Sequence, residues 1–199
     1  MNDLRTLSPR AARRFAGLRW TAPALLATAL VAGPGGARER VPFEARAGLD
    51  LARAAAQSWS PDAVLIYIEN DEPLDAAGAA PRWGYLFHSA ERDQGRAYSV
   101  REGRILEAEN LQMKFEAPPV GGEWMDSGAA LVVARREAGD EFCRRHSGQL
   151  STMLLMRGAF QDEDLQSAAW TLIFTAPDTP SLFVMVDADD GRVRRTWRG

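Results

Sequence analysis

The chain has 199 residues, of which 46% are apolar and 26% charged, and its formal net charge is -3. These proportions are ordinary for a globular protein and exclude wholesale disorder. The single cysteine, Cys143, excludes an internal disulfide framework. Residues 1–37 carry five Arg and one Asp, so the remainder is more acidic than the whole chain. That balance disfavours nucleic-acid binding.

The N-terminal 37 residues have the pattern of a secretion signal. A basic stretch that contains Arg10, Arg13, Arg14 and Arg19 precedes a short apolar run at 20–32, and small residues follow at Gly35 and Ala37. This order predicts removal of residues 1–37 near Arg38 and a periplasmic or secreted protein. An uncleaved membrane anchor and a leader without export are the alternatives. No cysteine stands directly after the apolar run, so no lipid attachment site is predicted.

Residues 38–110 are predicted to form a helix followed by four strands. Leu51, Ala55 and Trp59 recur at four-residue spacing, which predicts a helix over about 45–58 that Pro61 ends. Alternating or continuous apolar runs then predict strands at 63–69, 83–87, 96–100 and 104–108.

A linker at 111–125, rich in Pro and Gly, leads to a second set of elements at 126–199. Asp126 or Ser127 is predicted to cap a helix that ends at Gly139, and a short further helix is predicted over 140–146. Strands are predicted at 150–156, 170–175, 182–186 and 193–196. The last three form a meander with turns at 176–180 and 189–191, where Gly191 supplies the positive φ of a tight hairpin.

The two halves share one order of elements, and their aromatic residues correspond. Trp83, Tyr85 and Phe87 alternate in the first half as Trp170, Leu172 and Phe174 do in the second. The predicted fold class is α+β, with two tandem helix-plus-antiparallel-meander units whose helices pack on one face of the sheet or sheets. Duplication explains this pattern most simply; two unrelated meanders are the alternative.

The closing hairpin carries a family resemblance. Residues 183–188 read FVMVDA, and Gly191 and Val193 follow in the order Gly-x-Val, which resembles the closing signature of PepSY-type domains. The first half lacks the Asp-Ala pair. The tandem plan also resembles the architecture of β-lactamase inhibitor protein. The resemblance implies an exported protein that binds or restrains another protein, such as a peptidase.

No catalytic set, metal site or cofactor site is predicted from the sequence, so the protein is predicted not to be an enzyme. His88 lacks a nucleophile partner because Ser89 points to the other face of a strand. Cys143 and His146 share a helical spacing but lack a second pair of ligands for zinc. Asp187, Asp189 and Asp190 miss the spacing of a calcium loop and fit a hairpin turn.

Strand alternation assigns a candidate partner-binding surface to the sheet face away from the helices. The aromatic residues at 83–87 and 170–174 are predicted to face the helices. The candidate partner-binding residues on the other face are Arg82, Arg101, Thr171 and Arg194, with His88, Thr175 and Thr196 beside them. The predicted function is an exported, non-enzymatic protein that binds a partner protein and no small-molecule substrate. A structural or envelope-associated protein is the alternative.

Overall fold

A computed structural model of the protein describes residues 40–111, 117–162 and 164–199. The predicted signal segment and the centre of the linker lie outside the described residues. The described helical elements are α1 (Leu49–Trp59), α2 (Ser127–Ala134), a π-helical turn (Arg135–Gly139), α3 (Asp140–His146) and a short 3-10 turn (Ala159–Gln161). The strands are β1 (Val64–Asn70), β2 (Trp83–Ser89), β3 (Gln94–Arg101), β4 (Arg104–Asn110), β5 (Gln149–Met156), β6 (Ala169–Ala176), β7 (Thr179–Asp187) and β8 (Val193–Arg198).

The eight described strands form one antiparallel sheet in the order β4-β3-β2-β1-β5-β6-β7-β8. The α+β class and the antiparallel pairing are therefore confirmed. The sheet is single and continuous instead of being divided into two units, because the two meanders join through β1 and β5 and run outward from that seam. Joining them removes two strand edges that would otherwise expose unpaired backbone.

The seam between the halves is short and is extended by one side chain. Only Ile68 pairs with Leu155 and Glu69 with Leu154. Beyond them, the Asn70 amide takes the place of a strand residue: its Oδ1 accepts from the Met153 N–H at 2.7 Å. Its Nδ2 donates to the Ser151 carbonyl at 3.3 Å. Asn70 thus continues the ladder after β1 has ended.

The helices cover one face of the sheet, and the main core lies beneath them. Trp83 and Trp170 are both fully buried there and meet edge to face, with ring centroids 6.2 Å apart. Each indole N–H donates to a backbone carbonyl that precedes a helix, that of Phe43 at 2.7 Å and that of Met125 at 2.8 Å. The predicted helix-facing assignment of the two aromatic strands is confirmed by this burial.

The second helix does not end at Gly139 as predicted. The chain continues through the π-helical turn into α3, and Ser147 then adopts a left-handed conformation with φ 52°. A Cβ on Gly139 would lie 2.6 Å from the Phe174 ring, so this glycine permits close packing of the helix on β6. The glycine therefore marks a contact rather than a stop.

The linker passes from one sheet face to the other beside the seam. Ala117 packs on an apolar cluster on the face without helices. Val120 lies in the helix-side core, and its N–H donates to the Leu65 carbonyl at 2.8 Å. The Asp126 carboxylate then caps α2 by accepting from the Ser127 N–H at 2.8 Å, and it also accepts from the Arg46 N–H at 3.0 Å. These contacts bind the two halves together on the helix side.

Candidate partner-binding surface

The sheet face away from the helices, called here the outer face, differs between the two halves. On and just after β1, alternation places Tyr67, Glu69 and Asp71 on this face, while Ile68 points into the core. Together with Arg82, which directly precedes β2, Ser99 of β3 and Glu107 of β4, they form what we call the carboxylate cluster.

Arg82 is the cation that holds this cluster together. Its Nε donates to Asp71 Oδ2 at 3.2 Å, and its Nη2 donates to Glu107 Oε2 at 2.9 Å. The Ser99 hydroxyl donates to the same Asp71 oxygen at 2.5 Å and contacts Arg82 Nε. Only 17% of the Arg82 side chain is exposed. Arg82, a predicted partner-binding residue, is therefore ion-paired with a carboxylate that follows β1 and with a carboxylate on β4.

Glu69 carries the most perturbed carboxyl of the outer face. Burial raises its pKa to about 7, and the nearby Asp71 charge adds to that rise. The hydrogen bond from the Tyr67 hydroxyl opposes it. Burial also raises the pKa of Asp71, against the lowering effects of Ser99 and Arg82. Glu69 can therefore exchange a proton near neutral pH.

Arg101 lies at the end of β3 and forms an ion pair with Glu72, which follows the carboxylate cluster. A quarter of its side chain, 25%, remains exposed. Three of the four predicted partner-binding residues are arginines, and the side chain of Arg101 is the most exposed of the three. Its role in binding stays a prediction.

The outer face of the second half is apolar and covered. Leu154, Met156, Ala169 and Met185 form a buried cluster there with Ala159 from the segment after β5. Half-buried aromatic residues extend the cluster to the sheet edge, where Phe183 and Trp197 stack with centroids 4.9 Å apart. Phe160 packs against both rings.

Arg194 links the sheet to the segment after β5, which contains Ala159, Phe160 and Asp162 and is called here the covering segment. Its Nη2 donates to Asp187 Oδ2 at 2.7 Å, and its Nη1 pairs with Asp162. Although burial alone would raise it, the hydrogen bonds from Arg194 and from nearby donors lower the pKa of Asp187 to about 2. Only 7% of the Arg194 side chain is exposed. The expectation that Arg194 is accessible on the surface is therefore wrong.

The expectation for Thr171 and Thr196 is met only in part. Thr171 lies on the outer face as predicted but is fully buried, and its hydroxyl has no hydrogen-bond partner among the described residues. The apolar cluster covers it, because Leu154 and Met185 are its neighbours on the adjoining strands. Thr196 pairs with the core residue Val184 and so lies on the helix side. His88 and Thr175 are half-buried.

Three polar side chains with specific contacts were not predicted from the sequence: Asp62, Glu69 and Asn70. Two polar residues at the end of an otherwise apolar strand were the only local signal for Glu69 and Asn70. The Asp62 carboxylate accepts from the hydroxyls of Ser60 and Ser89, both at 2.7 Å, and from the Glu91 N–H at 2.9 Å. These bonds, with that of Glu91 the strongest influence, lower the pKa of Asp62. Ser89 and Glu91 are distant from Asp62 in sequence, so these two contacts could not be foreseen.

The described part of the chain contains no group of three His, Cys, Asp or Glu residues that could hold a metal ion. Cys143 is half-buried, and burial raises the pKa of its thiol. A raised pKa disfavours the reactive thiolate. None of the described helices is both long and apolar enough to cross a membrane.

Comparison with known proteins shows a fold and no family. No family model matches the chain, and no curated protein matches it. One solved structure is similar, that of a Clostridium difficile 630 protein described provisionally as a lipoprotein. It is 12% identical, with a TM-score of 0.51, over 76% of this chain and 93% of that one. This likeness shows the fold alone.

Proposed function

We propose that this is an exported, non-enzymatic, PepSY-like protein that binds or restrains a partner protein through the outer face of its first half. The observation that carries the proposal is the one-sided helix cover of the sheet. In the first half the face without helices presents polar side chains of which Glu107 is 38% exposed and Arg101 25% exposed. Paired charges with partial exposure suit a non-obligate, polar interface.

The envelope location in this proposal has two supports. The pattern of residues 1–37 is that of a secretion signal, and the similar solved structure belongs to a protein described provisionally as a lipoprotein. The peptidase as the partner class and the PepSY relation rest on the closing hairpin, where Asp187 and Ala188 precede Gly191.

Duplication of one helix-plus-meander segment is part of the same proposal. Trp83 and Trp170 occupy corresponding places, each at or near the start of the second strand of its half, and each donates to a carbonyl ahead of its own helix. The outward order of strands on both sides of the seam supports this origin.

Charge reversal at Arg101 tests the proposed surface. The chain lacking residues 1–37 serves as bait for envelope extract, and partners are identified by mass spectrometry. We expect Arg101→Glu to reduce recovery of a specific partner, because reversal places a second carboxylate beside Glu72. Arg144→Glu is the matched control, since Arg144 is an exposed arginine on the helix side.

Equal recovery by both variants would move the binding site away from the outer face. Failure of the unaltered bait to recover any partner would favour the alternative, a structural envelope protein. Export is tested separately by N-terminal sequencing of the protein made in its own cells. We expect a start near Arg38, and an intact chain in the cytosol would contradict export.

A further inference from the structure

A groove runs along the sheet edge formed by β8, on the side of the helices. Its volume is about 490 Å³. One wall is the end of α2 and the π-helical turn, which contribute Val133, Arg136 and Glu137, and the other is the chain from Gly191 to Thr196. The π-helical turn is a departure from α-helix geometry of a kind often found at functional sites.

The backbone of β8 offers unpaired hydrogen-bonding groups along this groove. Ser181 and Gly199 exchange both backbone hydrogen bonds, at 2.9 and 3.1 Å. In an antiparallel ladder such pairs alternate with pairs whose backbone groups point away. Thr196 and Arg198 pair with Val184 and Leu182 at the alternate positions, so their N–H and C=O groups point outward. Within the described residues, β8 is the last strand at this edge.

The groove and edge are rich in arginine. Arg136 and Arg192 are exposed and form no ion pair with any residue of the described ranges. Arg198 extends toward the helices, where its guanidinium lies 4.4 Å from the Phe142 ring centre. Glu137 is the carboxylate that lines the groove, and Asp190 lies in the adjoining turn. This edge is cationic on a chain whose net charge is -3.

The other side of the same edge is aromatic. Trp197 is half-buried on the outer face and stacks on Phe183, and the Arg195 guanidinium lies 4.7 Å from the Trp197 ring centre. Successive residues of a strand added beside β8 would therefore meet arginines on one face and the Trp197 ring on the other.

We infer that β8 binds an extended, acidic segment of a partner protein as a ninth strand. The segment's backbone bonds to Thr196 and Arg198, and its carboxylates contact Arg136 and Arg192. Arginines on an edge strand can also serve only to prevent unwanted pairing, and the experiment separates these roles. The inference goes beyond the proposed function because it uses the sheet edge of the second half, and its test leaves Arg101 unaltered.

The test uses fluorescence anisotropy with a labelled synthetic peptide of alternating Glu and Thr, and a matched peptide of alternating Gln and Thr. We expect the acidic peptide to bind at least about tenfold more tightly than the neutral one, with weaker binding at high salt. The double variant Arg136→Glu/Arg192→Glu should bind the acidic peptide about tenfold more weakly than the unaltered protein does. The Arg144→Glu variant should bind it as tightly as the unaltered protein. Circular dichroism checks that both variants are folded.

Two further measurements test strand addition itself. Methylation of alternate peptide nitrogens removes donors without changing charge, so one of the two methylation registers should abolish binding. Hydrogen exchange at Thr196 and Arg198 should slow when the peptide binds. The inference is overturned if neither peptide binds, if both bind equally, if the double variant retains full affinity, or if both methylated peptides bind like the parent.

Discussion

The outer face of the sheet is built differently in the two halves, although in each half a tryptophan of the second strand is fully buried under the helices. In the first half, Arg82 forms ion pairs with the carboxylates of Asp71 and Glu107 at a partly exposed surface. In the second half, Arg194 is almost fully buried and clamps a covering segment over apolar residues. Residues that face the helices must fill a shared core, whereas outer residues are free of that constraint. The difference shows that similar strand patterns can carry unlike surfaces.

The largest expected effect concerns the helix side that the halves share. Trp170→Ala should lower the free energy of unfolding by about 3–5 kcal/mol, because a fully buried indole leaves a cavity. Trp197→Ala, on the half-buried outer face, should cost distinctly less. Guanidinium unfolding of the two variants measures both. Equal losses would mean that the outer aromatic residues are as important to the core as Trp170.

The next largest effect is a difference in stability loss between variants of two outer-face arginines, Arg194 and Arg101. Arg194→Met should destabilise the protein by roughly 3 kcal/mol, because it leaves the buried Asp187 carboxylate without its cation. Arg101→Met should cost less than about 1 kcal/mol, since its pair is partly exposed and screened. Urea unfolding at one pH compares them. A larger loss for Arg101 would reverse the assignment of structural and surface roles.

A smaller effect is expected at the seam between the halves. Asn70→Ala should cost about 1–3 kcal/mol, because the Met153 N–H loses its acceptor at 2.7 Å. Asn110→Ala, at the outer end of β4, is the matched control, since the Asn110 amide oxygen accepts a hydrogen bond from the side chain of Arg96 and from no backbone N–H of the described residues. Thermal unfolding followed by circular dichroism is sufficient. An unchanged melting temperature for Asn70→Ala would show that the seam does not need this amide.

The smallest effect is a pH dependence confined to the first half. The unfolded Glu69 carboxyl ionises near its ordinary pKa of 4.5, whereas the folded one holds its proton to about pH 7. The folded state thus binds more protons in that window, so stability falls as pH rises through it. Glu69→Gln lacks this contribution. The difference in free energy of unfolding between the unaltered protein and Glu69→Gln should change by on the order of 1 kcal/mol between the pKa values of the unfolded and the folded carboxyl.

Denaturant midpoints at several pH values measure that change. The Asp187 carboxyl changes stability with pH in the opposite direction and in a more acidic range. Its pKa is lowered to about 2, so its contribution to stability is lost as pH falls below its ordinary value of 3.8 toward 2. A pH dependence of Glu69→Gln identical to that of the unaltered protein would contradict the raised pKa of Glu69.

Local sequence patterns were sufficient to predict the strands, the class of fold and the aromatic residues that face the helices. All eight predicted strands are present, because alternation of aromatic and β-branched residues is a local signal. The assignment of Trp83 and Trp170 to the helix side follows from the same signal. The resemblance to PepSY domains, the partner and the export remain predictions, since short motifs and a fold at 12% identity do not test them.

How the halves join, and which outer residues are accessible, depends on contacts between distant parts of the chain. Pairing of β1 with β5 depends on contacts such as Asn70 with Met153, which are far apart in the chain. Alternation assigned Thr171 correctly to the outer face but could not show that the segment after β5 folds back near it. Nor could alternation show that Arg194 pairs with Asp162 and is almost fully buried. Burial of a polar side chain is set by what covers it, and that cover comes from distant parts of the sequence.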